Sequence, residues 1–443
     1  MKEILDRIEN KNFKSLQKYL IEQQPADIAE YMKELSDKNS LLVFRLLPKD
    51  LATEVFSFMD VYYQTRFSEL IKIDELREIV DDLYFDDKIA FLEELPANLV
   101  KKILQNTHEQ ERRLINQFLN YPEFSAGSLM TIEFVDLKKQ MTVATAIKHI
   151  RETGYDKETI YTCYVIDKFR KLEGVISLRD ILVADEDEKI SELMETEFIS
   201  IHTKEDQEEV AEIFKKYDFL ALPVVDSENR LVGIITVDDI VDVIEEENTE
   251  DFHKMAALQP TEEEYLDSSI LSLARKRIPW LLILMISATF TGAIMDGYEA
   301  LLQQIVALMV FVPMLMGTGG NAGSQSSTLV VRGMALGEIT PSDIFKVVWK
   351  EIRVSLIVGS TLALLNFLRI YYIEKYPFNI SLTVSLTLII TVILAKVIGS
   401  TLPIGAKALK MDPAVMASPL ITTILDALVL ITYFTVAGSI LHL

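Results

Sequence analysis

One carboxylate, Asp426, lies deep inside the last apolar stretch of the chain, between about residues 413 and 441. An ionisable group at this depth of a membrane span is costly and usually functional. Thr422 and Ser418 precede it in steps of four, so the three side chains share one helical face. Such oxygens suit Mg²⁺, which keeps several waters and binds few protein groups directly. The alternative is a buried aspartate bonded to a neighbouring helix.

A glycine-rich polar segment, PMLMGTGGNAGSQSSTLVVRG, interrupts an apolar run between Pro313 and Gly333. Glycine permits a bent backbone that brings carbonyls close to a solute, and irregular backbone at membrane depth must line protein or water. We therefore expect the chain to break here and to form the wall of an ion path. The alternative is that small residues only let two helices pack closely. The candidate wall residues are Gly317, Gly319, Gly320 and Asn321.

Five apolar stretches are long enough to cross a membrane, near residues 278–298, 301–331, 354–374, 380–404 and 413–441. Positive residues precede the first, separate the second from the third, and separate the fourth from the fifth. Positive flanks belong in the cytoplasm, which predicts a cytoplasmic amino terminus and an external carboxyl terminus. Lys396 fits least well, and we expect its long stem to carry the ammonium toward the inner surface.

The charge of the 443-residue chain is divided unevenly. The region before Ser272 has 59 acidic and 32 basic residues, a net charge of −27, whereas the remainder carries +4. An acidic soluble region disfavours nucleic acid and attracts cations. A single cysteine, Cys163, excludes an intrachain disulfide and a thiolate zinc cluster. The polar amino terminus lacks a secretory signal, so we expect a cytoplasmic domain.

Two internal repeats organise the soluble region. Pro25, Pro48 and Pro96 each open an amphipathic pattern, and a proline-less member near Ile73 completes a period of about 24 residues typical of stacked helices. The stretches 164–182 and 223–241 then align position by position at a constant offset, each reading as strand, turn, strand and helix. These patterns predict an all-α domain over 1–124 and an α/β pair over 125–187 and 188–245.

A strongly acidic segment, DVIEEENTEDFHKM, follows the α/β pair and continues toward Arg275. It reads as one long helix that connects the soluble region to the membrane, over about residues 246–271. Charge runs of this kind are often only a solvated face. The pore domain is then predicted over 272–443.

The order of these motifs resembles the MgtE family of magnesium channels. The resemblance rests on Pro313 to Gly333, the pair Leu402 and Pro403, and the run from Asp412 through Val415 to Thr422–Asp426. The α/β repeat resembles a tandem pair of CBS modules. The family implies a homodimer in a bacterial or archaeal-type cell membrane, with a helical amino-terminal domain, the CBS pair, a plug helix and five spans. It implies Mg²⁺ uptake closed by cytoplasmic Mg²⁺.

By resemblance, sensor ions sit between acidic faces of the soluble region. The corresponding carboxylates in this chain are Asp206, Glu208, Asp218, Asp242, Glu247, Glu250 and Asp251. On the helical domain, Asp86, Asp87, Glu93 or Glu94 are further candidates. In CBS modules a hydroxyl and a carboxylate at Ser177 and Asp180, or at Thr236 and Asp239, can contact the ribose of an adenine nucleotide such as ATP. The same pattern is also an ordinary helix cap. The family often has Asn where this chain has Ser418.

Other functional classes are less compatible with the chain. An ATP-driven enzyme would need a phosphate loop, but the glycines and lysine from Gly399 to Lys407 have the wrong spacing. We therefore do not expect an enzyme. A coupled secondary transporter of divalent cations such as Co²⁺ or Mn²⁺ stays open, because broken helices are common there. A membrane-tethered nucleotide sensor would explain the CBS pair but not Asp426.

Overall fold

The computed structural model describes residues 2–259, 265, 268–416 and 418–441. Contacts divide the chain into two compact units, Met1–Glu246 and Glu247–Leu443. The first holds a helical domain followed by two small α/β modules, and the second contains long apolar helices. This succession confirms the predicted fold class at the level of an all-α domain, a CBS pair and an apolar helical region.

The amino-terminal domain is a stack of short helices that begin at a constant interval. This interval is half of the predicted repeat, so each repeat unit contains two helices. The helices are α1 Lys2–Glu9, α2 Phe13–Ile21, α3 Pro25–Glu34, α4 Asp37–Leu46, α5 Lys49–Ser57, α6 Val61–Ser68, α7 Ile73–Asp82, α8 Phe85–Glu93, α9 Ala97–Ile103 and α10 Glu109–Phe118. The constant interval holds from the start of α2 to the start of α10.

The predicted helix starts are confirmed. Pro25 begins α3, Pro48 and Pro96 immediately precede α5 and α9, and Ile73 begins the proline-less α7. Along this stack α3 packs on α5, α5 on α7 and α7 on α9. Apolar residues at helical spacing form the shared core, as where Leu76 and Ile79 of α7 are buried.

Two three-stranded sheets follow, and each has one parallel and one antiparallel pair. Their strands are β1 Val135–Leu137, β2 Thr162–Ile166 and β3 Leu172–Ser177, then β4 Ile201–His202, β5 Ala221–Val225 and β6 Leu231–Thr236. The helices of this region are α11 Ala126–Leu129, α12 Val143–Thr153, α13 Leu178–Val183, α14 Ile190–Leu193, α15 Gln207–Tyr217 and α16 Val237–Met255.

The constant offset found in the sequence holds in the structure. The same offset that aligns the two stretches of sequence separates the start of β2 from that of β5 and the start of β3 from that of β6. A register shift follows Val165 in β2 and Val224 in β5. The two sheets meet through one apolar cluster that contains Tyr164 from one module and Leu231 and Ile234 from the other. The modules therefore form one intramolecular pair.

The acidic helix α16 differs from the prediction in both bounds. It begins at Val237, directly after β6, and ends at Met255 instead of continuing to the membrane. Ala257 adopts a left-handed conformation (φ 54°), and the Leu258 N–H donates to the His253 carbonyl at 2.8 Å. This turn satisfies the last carbonyls of the helix and closes it. The predicted connecting residues 260–264, 266 and 267 lie outside the described residues.

In the described part of the second unit, six α-helices follow α16. They are α17 Ile270–Gly297, α18 Glu299–Gln304, α19 Ala307–Ala335, α20 Ile344–Leu368, α21 Phe378–Ala408 and α22 Ser418–Leu441. Within the described residues, four helical segments are long and apolar enough to cross a membrane, namely Ile270–Gly297, Pro341–Ile373, Phe378–Ala408 and Pro413–Leu441. Helix α19 has 29 residues, but its polar segment makes it less apolar than those four.

The expected break in the glycine-rich segment is wrong, because α19 is continuous from Ala307 to Ala335. Glycine permits a break but does not impose one, and here its missing side chain lets helices approach. A Cβ atom on Gly319 would lie 2.9 Å from Cγ2 of Val429 in α22, and one on Gly399 in α21 would meet the Gly323 carbonyl oxygen. The alternative of close helix packing is therefore confirmed for Gly319 and Gly323.

Candidate functional site

Asp426 lies in the apolar helix α22, and its side chain is half-buried. In the described part of the chain its carboxylate has neither a hydrogen bond nor an ion pair. The alternative of a structural aspartate bonded to another helix is not supported there. A carboxylate without a protein partner in an apolar helix needs a cation or water.

The residues that precede Asp426 on the same helical face have different surroundings. Thr422 packs its methyl group against Gly320 of α19, and its hydroxyl donates to the Pro419 carbonyl at 3.2 Å. The predicted stripe is therefore partly used for packing. The side chain of Ser418 lies outside the described residues.

Helix α19 separates the candidate wall residues onto two faces. Gly319 and Gly320 are buried, whereas Gly317 and Asn321 are exposed. The exposed face continues through Gln325 at helical spacing. The carbonyls of Gly317 to Gly320 lie inside a continuous helix and point along its axis. A solute beside this helix would therefore meet side chains and water and not a bent backbone. Polar groups on an exposed face at membrane depth need water or another protein surface.

Seven carboxylates gather inside the first unit around the start of α16, and we refer to them as the α8–α16 cluster. Their mutual charge effects place them near one another. Two lie on α8, two lie in the CBS region and three lie on α16: Asp86, Asp87, Glu133, Glu158, Asp238, Asp239 and Asp242. Of the carried-over sensor residues, Asp242 alone belongs to this cluster.

The cluster holds its carboxylates in unfavourable surroundings. Burial and the charges of Asp239 and Asp238 raise the pKa of Asp87 to about 7. Burial and the charges of Asp238 and Asp239 also raise the pKa of Glu158 to about 7. The pKa of Asp86 is raised well above its ordinary value, first by burial and then by Asp239. These groups need protons or bound cations to become neutral.

The other suspected acids of the helical domain lie in a different environment. Burial, followed by the charges of Glu123 and Glu94, raises the pKa of Glu93 to about 7. Glu93 lines a cavity of about 850 Å³ between α8, α9 and α10. The structure therefore brings Asp86 and Asp87, not Glu93, to the acidic residues of α16.

Three further sensor candidates lie at the two ends of α15. The Asp206 carboxylate caps the helix by accepting a hydrogen bond from the Glu208 backbone N–H at 2.9 Å. Asp218 ends the same helix in a left-handed conformation with φ 55°. Both aspartates have a local structural role, and the helix separates them by about 18 Å at about 1.5 Å per residue.

The last three sensor candidates lie within the second unit at the end of α16. The Lys254 ammonium contacts Glu250 and Asp412, each at 2.7 Å. Burial lowers the pKa of Lys254, but the hydrogen bonds that it donates to Asp412 and Glu250 outweigh burial and raise the pKa to about 12. Burial, the charge of Asp412 and the smaller effect of the Glu247 charge raise the pKa of Asp251 to about 6. Lys254 therefore bridges the acidic helix to the segment before α22.

At both candidate nucleotide positions the hydroxyl and the carboxylate are bonded to each other. The Ser177 hydroxyl donates to Asp180 at 2.5 Å and accepts from the Asp180 backbone N–H at 3.1 Å. The Thr236 hydroxyl donates to Asp239 at 2.7 Å. The Ser177 hydroxyl thus performs the capping that was the alternative to ribose binding, and Thr236 is bonded to the first turn of its own helix. Asp180 is exposed, whereas Asp239 faces the α8–α16 cluster.

Among the residues that the structure describes, no group of three or more His, Cys, Asp or Glu side chains has a geometry that would hold a metal ion. The candidate sensor acids lie at three separate positions, namely the start of α16, the ends of α15 and the end of α16. Sequence reasoning missed Glu133, Glu158 and Asp238 in the cluster and Asp412 beside Lys254. Asp238 was adjacent to a candidate, but no sequence signal connects Glu158 to α8.

A half-buried carboxylate in an apolar helix, joined to a helical domain and a CBS pair, defines a membrane transporter for divalent cations. A family model described as divalent cation transporter matches residues 312–436. The MgtE intracellular N domain matches residues 23–124, and the CBS domain matches 126–187 and 190–246.

The chain belongs to the MgtE family of magnesium transporters. It is 36% identical over 433 residues to the magnesium transporter MgtE of Thermus thermophilus, covering 97% of this chain and 96% of the relative. It is 32% identical to that of Bacillus subtilis over 421 residues, or 95% and 93% of the two chains. Membership in a transporter family confirms that the protein is not an enzyme.

A solved structure also resembles the first unit. The crystal structure of the cytosolic domain of the Mg²⁺ channel MgtE in complex with ATP matches with a TM-score of 0.52 and 36% identity. The match covers 54% of this chain and 98% of that one. The soluble fold described above is therefore a fold that the family uses.

The raised pKa values predict how the stability of the first unit changes with pH. An unfolded Asp or Glu titrates near pH 4, whereas Asp87 and Glu158 titrate at about 7 in the folded unit. The folded state therefore binds more protons between pH 4 and 7. Without divalent cations, the free energy of unfolding of residues 1–246 should fall by on the order of 3 kcal/mol as pH rises from 4 to 7.

Urea unfolding followed by circular dichroism at several pH values measures this slope. The variant Asp87→Asn should unfold at higher urea than the wild type at pH 8 and should show a shallower slope. Asp180→Asn, which changes an exposed carboxylate outside the cluster, is the matched control. Stability that rises between pH 5 and 7 would contradict the described cluster.

Proposed function

We propose that the protein is a Mg²⁺ channel for magnesium uptake, and that Asp426 carries the ion through the membrane. The supporting observation is a half-buried carboxylate without a partner in the described chain, on the helix α22. Helix α22 packs against α19, which has an exposed polar face. Mg²⁺ holds its waters tightly, so Asn321 and Thr422 contact the ion through water. Ser418 and the segment from Gly317 to Gly320 complete the proposed path.

We propose that the working assembly is a homodimer with the path at the two-fold axis. The exposed polar face of α19 needs cover from lipid, and two-fold symmetry supplies a second Asp426 from one residue. Helix α17 supports this arrangement, because none of its most apolar window is buried within the chain.

We also propose five spans, with α19 as the fifth in addition to the four apolar segments. Its 29 residues are long enough to cross hydrocarbon, and its low apolarity is accounted for if it lines the path. Positive residues such as Arg275, Lys350 and Lys407 then face the cytoplasm, and the carboxyl terminus lies outside.

The five-span topology can be tested with single cysteines in a Cys163→Ser background. Lys375→Cys, in the connection between α20 and α21, should react with a membrane-impermeant maleimide in intact cells. Ser342→Cys, in the connection between α19 and α20, should react only after the membrane is permeabilised. Labelling of both positions in intact cells would rule out the proposed arrangement.

Replacing Asp426 by Ala should reduce Mg²⁺ influx into reconstituted vesicles by about a hundredfold, which corresponds to about 2.7 kcal/mol. The physical reason is that the dehydrating ion loses its only charged partner in α22. Influx is measured with an entrapped Mg²⁺-sensitive dye, and dimerisation by light scattering should be unchanged.

The matched control is Thr435→Ala on the same helix. The Thr435 hydroxyl only donates a hydrogen bond to the Ile431 carbonyl, one turn earlier in α22. This variant should conduct like the wild type. Wild-type influx through Asp426→Ala would remove the residue from the mechanism.

Single-channel currents distinguish a channel from a coupled transporter. Comparison of the flux of Mg²⁺, Co²⁺, Mn²⁺ and Ca²⁺ defines the ion selectivity of the protein.

We propose that cytoplasmic Mg²⁺ closes this channel by binding between acidic surfaces of the soluble region. Two carboxylates about 5 Å apart at an effective dielectric near 20 repel by about 3 kcal/mol. A divalent ion converts that repulsion into attraction, so low Mg²⁺ loosens the domain and high Mg²⁺ compacts it. The sites proposed for these ions are the α8–α16 cluster with Asp242, the ends of α15 with Asp206, Glu208 and Asp218, and the end of α16 with Glu247, Glu250 and Asp251.

The state of the soluble region could reach the pore through Lys254. Its ammonium joins Glu250 of α16 to Asp412, and the Met416 carbonyl a few residues later accepts a hydrogen bond from Ser327 of α19 at 3.4 Å. A movement of the end of α16 would thereby act on both α19 and α22. Several weak ion sites acting together would make closure steep.

Millimolar Mg²⁺ should protect the soluble region of the purified full-length protein from limited proteolysis. Protection follows because bridged carboxylates no longer push their elements apart. The same concentration of Mg²⁺ on the cytoplasmic side should reduce flux, and a variant with Asp87→Asn, Asp239→Asn and Asp242→Asn should be protected without Mg²⁺.

NaCl at matched ionic strength is the control for screening and should give little protection. The matched control variant is Asp180→Asn, which should retain the dependence on Mg²⁺. Identical digestion at low and high Mg²⁺ would contradict closure by the soluble region.

We propose adenine nucleotide binding by the CBS pair as a second function. It is supported by the related cytosolic domain solved with ATP. The exposed Asp180 is available to ribose hydroxyls at the cost of its bond to Ser177, whereas Asp239 is engaged by Thr236 in the acidic cluster. Calorimetric titration of ATP into residues 1–246 measures this binding directly.

A further inference from the structure

A buried ionic network joins three helices of the second unit, and the proposed ion path does not use it. Ser326 of α19 donates its hydroxyl hydrogen to Oε2 of Glu351 in α20 at 2.7 Å. Lys396 of α21 donates to the same hydroxyl oxygen at 3.2 Å, and its ammonium lies 3.7 Å from Glu351 Oε2. The expectation that Lys396 reaches the inner surface is therefore wrong.

The network is removed from water. The exposed fraction of the side chain is 7% for Lys396 and 14% for Glu351, and Ser326 is fully buried. A buried charge in a membrane protein is stable only when it is paired. Lys396 supplies a tethered cation to Glu351, so the network is electrically neutral and needs no mobile ion.

The hydrogen-bond directions in this network have one solution. An ammonium only donates and a carboxylate only accepts, so the single hydroxyl proton of Ser326 must point to Glu351. The hydroxyl lone pair must then face Lys396. A rotation of α19 by one residue, about 100°, would remove Ser326 from both partners at once.

The same helix makes further contacts with α21 and α22. Three residues before Ser326, Gly323 contacts Gly399 of α21 as well as Ile421 and Leu425 of α22. One residue after it, Ser327 donates to the Met416 carbonyl at 3.4 Å. The orientation of α19 about its axis therefore decides which of its faces is turned to α22 and which face is exposed.

We propose that Ser326, Glu351 and Lys396 form a neutral lock that fixes the orientation of α19 about its axis, and with it the direction of the exposed polar face that we assign to the ion path. The three are positioning residues for cation permeation and do not bind the permeating ion. This inference rests on the proposed Mg²⁺ path. It adds that the path is held in place by a permanent internal cation.

The test is a double-mutant cycle on the full-length protein. Lys396→Met and Glu351→Gln each leave one buried charge unpaired, and each should lower maximal Mg²⁺ influx about tenfold. The Mg²⁺ concentration at half-maximal influx should change by less than about twofold, because Asp426 is intact. The double variant should recover to within about threefold of the wild type, since it contains no unpaired buried charge.

Two further variants distinguish loss of the buried ion pair from a general loss of folding or stability. Lys396→Arg keeps the cation and should retain most of the flux. The pair Lys407→Met and Glu338→Gln changes an exposed lysine and an exposed acid elsewhere in the same unit, and should leave flux unchanged. Loss of flux in Lys396→Arg equal to that in Lys396→Met would overturn the role of the charge.

A thermal readout distinguishes this proposal from the proposed function. The two single variants should lower the unfolding midpoint of the purified protein in detergent more than the double variant does. Absence of this coupling overturns the lock, whether or not Mg²⁺ permeates. Coupling accompanied by normal influx in both single variants overturns the positioning role. A wild-type protein without Mg²⁺ influx overturns the proposed function and with it any role of the lock in permeation.

Discussion

A carboxylate that leaves bulk water must meet a cation or take up a proton, and this constraint governs both units of the protein. In the soluble unit, the pKa values of Asp87 and Glu158 lie near neutrality because burial disfavours their charged forms. In the apolar unit, Glu351 meets the ammonium of Lys396. At the end of α16, Lys254 serves Glu250 and Asp412. Asp426 differs from these residues because it forms no ion pair with a lysine, arginine or histidine of the described chain.

The acids of the protein therefore differ in what balances their charge. Some contact a lysine of the chain, and others do not. Where a lysine is buried together with its acid, as Lys396 is with Glu351, the pair needs no ion from solution. Where no lysine contacts the acid, its charge must be balanced by protons or by free cations. Asp87 and Glu158 of the α8–α16 cluster belong to the second kind, and so does Asp426 in the apolar helix α22. The same divalent ion can therefore be both the cargo and the signal, in accordance with the proposed closure by Mg²⁺.

Local patterns and repeats made most of the fold predictable. The prolines at 25, 48 and 96 locate helix starts because proline suits a first turn, and the constant offset between the two α/β stretches locates the paired strands. Asp426 could be singled out as a candidate from the sequence because a charge in an apolar run is conspicuous. The continuous α19 was not predictable, since glycine is compatible with a break and with close packing. Only the positions of Val429 and Gly399 decide between them.

Long-range pairing accounts for the other missed features. Lys396 and Ser326 are 70 residues apart, and nothing local in either segment identifies the other as its partner. The end of α16 at Met255 depends on a left-handed Ala257, a conformation that the sequence does not favour. Glu158 joins Asp87 only after the helical domain and the CBS region fold together. Such contacts follow from tertiary structure and cannot be read from spacing.

The regular succession of helix starts in the amino-terminal domain also has a consequence for how that domain comes apart. Each helix packs mainly on helices one or two places away, so its stability is a sum of neighbouring contacts, as in a solenoid. Fraying that begins at α1 must open α2 to α7 in turn before it reaches the acids of α8. Amide exchange would therefore be graded along the chain, and the helix that faces α16 would be among the last to lose protection.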